Sequence, residues 1–212
     1  KPTVWCAQHD TNSFAPVGAR AYELASKSGS ESAGAVWFLM NWPEQTEAIQ
    51  KSVKGAIEWY KKTRVTGLYF NKKAGTFEKR DGNVLWYRFY EVNNDNYFFC
   101  DRDGASTKTQ DFTRISEERR TGYQWAGDYG TALLLTESAY LTALEKMQET
   151  NINDTSGTQN RDSTTVIEAL GQAYKAKQAN RYFVDIGRKS NGAGVYIMRS
   201  NEKMYRVNGK NA

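Results

Sequence analysis

Apolar and polar positions change their period several times along the chain, and each change marks an expected element. Residues 3–6 predict a short strand within a loop-rich stretch that runs to residue 27. Ser28-Gly29-Ser30-Glu31 has the spacing of a helix capping box, with a hydroxyl at the start and a glutamate three residues on. The apolar run 33–42 that follows predicts a buried helix, stopped at Pro43. Residues 44–62 place Ala48, Ile49, Val53, Ala56, Ile57 and Tyr60 on one face of an amphipathic helix. The pattern then changes. Residues 68–70, 84–92 and 97–100 are aromatic and β-branched, and turn-forming stretches at 72–75, 80–83 and 93–96 separate them. They predict short strands, or extended irregular chain. Residues 131–149 return to helical spacing through Leu133, Leu134, Leu141, Leu144 and Met147. A second helix is predicted over 162–183, with Val166, Ile167, Leu170, Ala173 and Tyr174 on one stripe, and a hairpin over 195–207 turning at Asn201-Glu202. The sum is a mainly α chain with short strands and long irregular loops.

Residues 150–162 are polar and short-sided, which makes them the best linker candidate. They divide the chain into 1–149, the linker, and 163–212. A chain of 212 residues, 39% of them hydrophobic, suits one packed domain or one with a small appendage. No stretch approaches the ~20 consecutive apolar residues that span a bilayer, so no membrane partner is expected.

The net charge of +5 mildly favours an anionic partner: nucleic acid, acidic lipid or acidic polysaccharide. The chemistry available is limited. His9 is the one histidine, so a three-histidine zinc site is excluded, and CxxC and GxSxG are absent. His9 reads more readily as a hydrogen-bonded core residue than as a catalyst. Cys6 and Cys100 read as small buried hydrophobes without a catalytic role, and sequence leaves open whether they pair.

Four arginine-bearing segments stand out: Ala19-Arg20-Ala21-Tyr22-Glu23, Trp86-Tyr87-Arg88-Phe89-Tyr90, Cys100-Asp101-Arg102-Asp103-Gly104 and Glu118-Arg119-Arg120-Thr121-Gly122-Tyr123. A planar guanidinium holds a carboxylate with two parallel hydrogen bonds. Aromatic rings beside three of the four add a face for a sugar, so the set suits a polymer of acidic sugars. Each segment also has a plain structural reading. Arg88 packs its stem between rings in a strand, Asp101 and Asp103 neutralise Arg102 in a turn, and Glu117 and Glu118 pair with Arg119 and Arg120 at a solvated helix end. Asp101-Arg102-Asp103-Gly104 also echoes the start of a calcium loop, but the later ligands of an EF-hand are missing.

Taken in order with Trp5-Cys6-Ala7-Gln8-His9-Asp10 and Ser28-Gly29-Ser30-Glu31-Ser32, these segments resemble the C-terminal half of polysaccharide lyase family 10, over about residues 2–135. The family consists of pectate lyases with an α/α toroid, so the resemblance implies a toroid-like helical fold. It implies cleavage of polygalacturonate by calcium-assisted β-elimination, with an arginine as the base. By motif position Arg20 is that base, and Arg88 and Arg102 grip substrate carboxylates. Asp10, Asp101, Asp103, Arg119 and Arg120 support the site; Asp10 reads as a buried structural carboxylate ahead of a place near the metal. The resemblance alone implies a secreted or periplasmic location, and a monomer is expected; residues 1–5 carry no apolar leader from which to read location.

The resemblance departs from the family in one respect. The early Asp-Asn and Thr-Thr-rich helix and the Asn-Asp segment whose aspartate holds calcium do not precede Lys1, so the metal ligand is unassigned. Asn160-Arg161-Asp162-Ser163-Thr164-Thr165 resembles the early helix in a later place, and 206–210 resembles a lead-in to Pro2-Thr3-Val4-Trp5. A circular permutation accounts for both, and a fragment with an unrelated tail accounts for the missing aspartate. The alternative function is a non-catalytic domain that binds acidic polysaccharide. Nucleic-acid binding through basic and aromatic residues ranks third.

Overall fold

The computed structural model describes residues 3–153 and the strands Gly187–Arg188, Val195–Arg199 and Lys203–Val207. In chain order the elements are β1 (Lys27–Ser28), α1 (Gly29–Met40), α2 (Glu47–Thr63), β2 (Val65–Asn71), β3 (Thr76–Tyr87), β4 (Phe89–Tyr90), α3 (Glu117–Gly122), β5 (Ala126–Gly127), α4 (Thr131–Asn153), β6 (Gly187–Arg188), β7 (Val195–Arg199) and β8 (Lys203–Val207). The described strands form three antiparallel sheets, ordered β1-β4, β2-β3-β5 and β6-β7-β8. This overturns the expectation of a mainly α, toroid-like domain: the fold is mixed α/β.

The physical reason lies in residues 65–87. Alternating β-branched and aromatic residues there build one long hairpin, β2 with β3, instead of isolated strand fragments. Residues 80–83, expected as a turn, lie inside β3 as an irregularity. The register shifts between Thr66 and Leu68, and Gly82 takes a positive φ of 72°. Asn83 Nδ2 donates to the Leu68 carbonyl across this irregularity, and the Arg80 guanidinium lies 3.5 Å from the centroid of the Tyr69 ring.

The chain divides into two compact units. The first comprises residues 1–37 and 51–134. Its core is aromatic: Tyr60, Trp86, Tyr90, Phe99 and Trp125 are fully buried with Leu85 and Ile115. The polar ends of these rings are satisfied inside. Trp86 Nε1 donates to the Tyr60 carbonyl at 2.8 Å, Tyr60 Oη to the Gly29 carbonyl at 2.6 Å, and Trp125 Nε1 to the Arg119 carbonyl at 2.7 Å. Half of the expected capping box forms: the Glu31 carboxylate takes the Ser28 hydroxyl, while Ser28 N donates to the Trp5 carbonyl at 3.0 Å. Ser28 Oγ accepts from the Glu31 N–H at 3.1 Å, so α1 starts at Gly29, four residues before the apolar run. Gly29 is required there: a Cβ would stand 2.3 Å from the Tyr87 carbonyl, and Gly29 N donates to the Arg88 carbonyl at 3.0 Å. The start of α1 is thereby fixed beside Arg88.

The second unit comprises residues 38–50 and 135–212. Its described packing is built on Met40, Tyr140, Ala143 and Leu144, and Tyr140 Oη donates to Gln45 Oε1 at 2.7 Å. Gln45 Nε2 in turn donates to the Leu39 carbonyl at 2.9 Å and the Trp42 carbonyl at 2.6 Å, which serves two carbonyls left open where Pro43 ends the helix. Helix α4 continues to Asn153, through the first four positions of the expected linker 150–162. β7 pairs with β8 from Val195 opposite Val207 to Arg199 opposite Lys203, the hairpin expected over 195–207. The rest of the linker and the helix expected over 162–183 lie outside the described residues, as do the residues 160–165 on which the permutation rests. Among the described residues, no helix is long and apolar enough to cross a membrane.

Candidate active site

The site lies within the first unit, where four loops and turns bring arginines together. Arg20 sits on a tight turn in which Glu23 N donates to the Arg20 carbonyl at 2.8 Å and Ala19 N to the Glu23 carbonyl at 3.0 Å. That turn points the i,i+3 pair the same way. Arg20 Nε donates to Glu23 Oε2 at 2.9 Å, and its Nη2 donates to Glu23 Oε1. Arg102 is held in the same two-pronged manner by Glu118, with Nε to Oε2 at 3.1 Å and Nη2 to Oε1 at 2.6 Å. Arg88 Nη2 donates to Glu31 Oε1, and Glu31 Oε2 accepts from the capping hydroxyl of Ser28. Each of the three arginines singled out in the sequence therefore carries its own glutamate.

Two tyrosine rings gather these pairs. The guanidinium carbons of Arg20, Arg102 and Arg119 lie 4.9, 5.2 and 5.0 Å from the centroid of Tyr22. Arg88 and Arg119 each lie 5.2 Å from the centroid of Tyr123. Arg119 belongs to both groups and also lies 5.0 Å from the Trp125 ring. Arg20, Arg88 and Arg102 thus form one cluster joined through Arg119, and they do not point to separate faces. Residue exposure grades across it. The side chains of Arg20 and Arg102 are 67% and 56% exposed, that of Arg88 is 23% exposed, and Arg119 is buried at 5%. A cation over an aromatic face is attracted by the ring quadrupole. The glutamates offset the repulsion among the cations.

The remaining candidates have definite places. Asp101 ties its loop to α3: it accepts from Ser116 N at 2.5 Å, Ser116 Oγ at 3.0 Å and Arg102 N at 2.8 Å. Burial pulls its carboxyl up, but the hydrogen bonds from Ser116 and Arg102 outweigh this and hold it below the usual range. This tie sets Arg102 beside Glu118. Glu118 does not pair with its neighbours Arg119 and Arg120, as the plain reading of that segment has it. Arg120 Nη1 donates to the Ile115 carbonyl at 2.7 Å and the Thr113 carbonyl at 3.3 Å, which fastens the preceding loop. Asp103 is exposed and its side chain does not cap the short helical turn Gly104–Thr107. Asp10 is half-buried, not the buried carboxylate expected. It caps a surface turn, accepting from Ser13 N at 2.7 Å, Ser13 Oγ at 2.8 Å and Asn12 N at 3.1 Å. These bonds, those from Ser13 first, hold its carboxyl below the usual range.

His9 is structural: Nε2 accepts from Cys6 N at 3.0 Å, which leaves Nδ1 to donate to the Phe14 carbonyl at 2.9 Å. Cys6 and Cys100 are buried free thiols, and burial pushes both upward, away from the reactive thiolate. Sequence reasoning missed the roles of Tyr22 and Tyr123 as shared platforms, and of Glu23, Glu31 and Glu118 as partners. The i,i+3 spacing of Arg20 and Glu23 was a usable signal. Nothing local links Glu118 to Arg102, or Glu31 to Arg88.

The family model for pectic acid lyase matches residues 1–134. A family 10 polysaccharide lyase from Cellvibrio cellulosa is similar at 42% sequence identity and a TM-score of 0.60, over 65% of this chain and 44% of that one. An aspartate-to-alanine mutant of the Cellvibrio cellulosa enzyme, in complex with trigalacturonic acid, is similar at 42% identity and a TM-score of 0.60, over 64% and 43%. The chain spans less than half the length of those solved structures. No curated protein matches it. With its arginine segments inside the matched residues 1–134 and gathered into one cluster, the chain belongs to the pectic acid lyase family, family 10 of the polysaccharide lyases.

Proposed function

We propose that this chain is a pectate lyase that cleaves polygalacturonate by β-elimination, as a secreted or periplasmic monomer. The single observation that carries the reading is the ring of three guanidiniums around Tyr22, continued to Arg88 through Arg119 and Tyr123. An acidic polymer meets several forks at once. Its carboxylates take the places of Glu118 on Arg102 and Glu31 on Arg88. The bound ligand of the Cellvibrio cellulosa mutant, trigalacturonic acid, is an oligomer of this kind.

The reaction needs a base for the C5 proton of galacturonate. Neutral Arg20 accepts that proton, the C5–H electron pair forms the C4–C5 double bond, and the glycosidic oxygen leaves C4 with the bonding pair and takes a proton from solvent. Fixed cations near the neighbouring carboxylate stabilise the charge that develops. In the structure Arg20 is in the wrong state for this step. The hydrogen bond from Arg20 to Glu23 raises the arginine pKa further above its ordinary value. Substrate must therefore displace Glu23. With Glu23 gone, the cations of Arg102 and Arg119 across Tyr22, and a site dried by bound sugar, lower the Arg20 pKa.

Calcium is part of the same proposal as a requirement to be tested. Among the described residues, no three His, Cys, Asp or Glu side chains come together in a metal-binding group. Glu23, Glu31 and Glu118 are each engaged by an arginine. These residues do not fit a calcium cage, and no step above passes through the metal.

The decisive assay follows the ultraviolet absorbance of unsaturated sugar ends released from polygalacturonate, with added calcium and with chelator. Unsaturated product in the parent and its loss in Arg20→Ala are expected. An absence of product at every calcium concentration would sink the lyase reading. A second reading is favoured by the exposed, Glu23-bound state of Arg20. It is a non-catalytic binding domain for acidic polysaccharide, and it gives binding without product.

A further inference from the structure

The sequence segment Trp5-Cys6-Ala7-Gln8-His9-Asp10 supplies no arginine to the cluster, and its task lies further along the chain. Residues 8–17 close into a narrow finger. Val17 N donates to the Gln8 carbonyl at 3.2 Å, His9 pairs antiparallel with Pro16, and Asp10 N donates to the Ala15 carbonyl at 2.9 Å. The tip is tied as firmly. Phe14 N donates to the Asp10 carbonyl at 2.9 Å, and the Asp10 carboxylate accepts from Ser13 N at 2.7 Å and Asn12 N at 3.1 Å. His9 Nδ1 donates to the Phe14 carbonyl, while Cys6 N fixes the other side of the imidazole.

This finger holds Phe14 against two preferences at once. Its φ is 55°, and among the described residues it is the one non-glycine with a positive φ. A Cβ crowds the backbone in that region, which is why glycine is the ordinary occupant. Phe14 is also 76% exposed, more than any other large apolar residue described, so burial does not offset the strain. Strain that neighbouring bonds maintain is a feature of binding sites. What phenylalanine adds here is a ring face open to solvent, with its backbone fixed before any ligand arrives.

The finger stands at the edge of the arginine cluster. Ala7 and Gln8 at its base line the cavity beside Arg88, and the returning limb runs on to Ala19, whose N–H donates to the Glu23 carbonyl in the turn of Arg20. Six residues separate Gln8 from Phe14, so the tip lies within about 20 Å of that cavity wall. Its chemistry differs from that of the cluster. Residues 8–19 contain no lysine or arginine, and their one carboxylate, Asp10, is engaged by Ser13 and Asn12. Nothing on the finger calls for an anion.

We propose that Phe14 is a stacking platform outside the arginine cluster, and that it takes the C–H face of a pyranose in a polysaccharide long enough to run past the cluster. The proposal rests on the acidic-polysaccharide reading above, and it divides recognition by chemistry. The arginines read carboxylates, and the platform reads the apolar face of the ring whatever the state of its carboxyl. A sugar whose carboxyl is methyl-esterified keeps that face, so the platform accepts an uncharged stretch of the polymer next to the charged one.

The test is calorimetric titration of the full chain with trigalacturonate and with hexagalacturonate, at low and at high salt. Parent, Phe14→Ala, Phe14→Gly and Phe14→Trp are compared. In the alanine and glycine variants hexagalacturonate affinity should fall about three- to tenfold, the scale of one ring contact, with trigalacturonate affinity kept within about twofold. Phe14→Trp should keep the hexagalacturonate affinity. The factor lost should be the same at both salt concentrations, because the contact is apolar, whereas the arginine contribution weakens as salt rises. The melting temperature of Phe14→Gly should hold or rise, since glycine takes this φ without strain and no packed ring is lost. Unchanged hexagalacturonate affinity in Phe14→Ala overturns the platform. So does an equal loss for the two oligomers, which would place the effect in the cluster, or a lowered melting temperature in Phe14→Gly, which would make the ring part of the packing. If the parent binds neither oligomer, the acidic-polysaccharide reading itself falls and takes the platform with it.

Discussion

Gly104 presses its backbone against the carbonyl of Ala21: a Cβ at residue 104 would stand 1.8 Å from that oxygen. The contact joins the loop of Arg102 to the turn of Arg20, and it is what lets both guanidiniums reach the Tyr22 ring. Gly104 also has a positive φ of 63°, which disfavours any side chain there. Gly104→Ala should therefore destabilise the fold by about 2–4 kcal/mol, from overpacking together with backbone strain. It should also part Arg102 from Arg20. Denaturant unfolding measures the first effect and trigalacturonate affinity the second. A variant as stable as the parent would show that the two loops are not held at this contact.

Tyr22 should matter through its ring more than through its hydroxyl, which hydrogen-bonds Arg102. Tyr22→Phe keeps the face on which Arg20, Arg102 and Arg119 converge. Tyr22→Ala removes it and leaves three cations without their common partner. Trigalacturonate affinity should be kept within about twofold in the first variant and fall about tenfold in the second, since each guanidinium loses its attraction to the ring. Equal losses in the two variants would assign the effect to the hydroxyl.

What the sequence disclosed follows the range over which its signals act. The N-cap at Ser28 was legible because its donor and acceptor lie three residues apart, although the reciprocal bond from Ser28 N goes to the Trp5 carbonyl instead of to Glu31. The amphipathic face of α2 was legible over most of its length because its period is local: Val53, Ala56, Ile57 and Tyr60 are buried, whereas Ala48, expected on the same face, is exposed and Ile49 is half-buried at the start of the helix. The mixed fold is not legible from local patterns, which mark strands singly. Their pairing into β2–β3, with an irregular stretch where a turn was expected at 80–83, depends on register between distant residues. The arginines of the site were legible as residue types in motifs. Their glutamates were not, apart from Glu23. Glu31 lies 57 residues from Arg88 and Glu118 lies 16 from Arg102, and neither separation carries a pattern.

Asp95 makes the acid stability of the first unit predictable. It accepts from Lys27 Nζ at 2.7 Å, Trp59 Nε1 at 2.7 Å and Lys62 Nζ at 2.6 Å, and so ties β1 to α2. Burial raises its pKa, but these donors, Lys27 first among them, outweigh burial and bring it to about 2. A carboxyl depressed in the folded state stabilises above its unfolded pKa, about 3.9, and that stability is lost as pH falls through the folded value. The Asp95 contribution should be complete above pH about 4 and fade toward pH about 2. Asp95→Asn should cost about 3 kcal/mol at neutral pH, because the Lys27 side chain is only 6% exposed and is left as an uncompensated charge. The variant's stability should also vary less with pH across that acid window. Unfolding curves at several pH values check both, and a parallel pH dependence in the two proteins would remove Asp95 from the account.

Glu23 gives the sharpest test of Arg20, because it acts on the same guanidinium in two separable ways. As a competing carboxylate it occupies the fork that a substrate would use. Glu23→Gln weakens that hold but keeps an acceptor oxygen, so trigalacturonate affinity should rise about two- to fivefold, the scale of an exposed ion pair. This holds whether the chain is a lyase or a binding domain. As a negative charge, Glu23 also keeps Arg20 protonated. Its removal lowers the Arg20 pKa and enlarges the neutral fraction at any given pH. If Arg20 is the base, the rising limb of kcat against pH should move to lower pH in Glu23→Gln, with kcat on that limb higher than in the parent. Arg20→Ala should abolish product while trigalacturonate still binds, since the proton is taken only in the transition state. Arg20→Lys should fail as well, because an ammonium on a shorter stem does not present its nitrogen where the guanidinium does. A pH limb that stays in place while affinity rises would leave Glu23 a competitor for the fork and remove Arg20 from the chemistry.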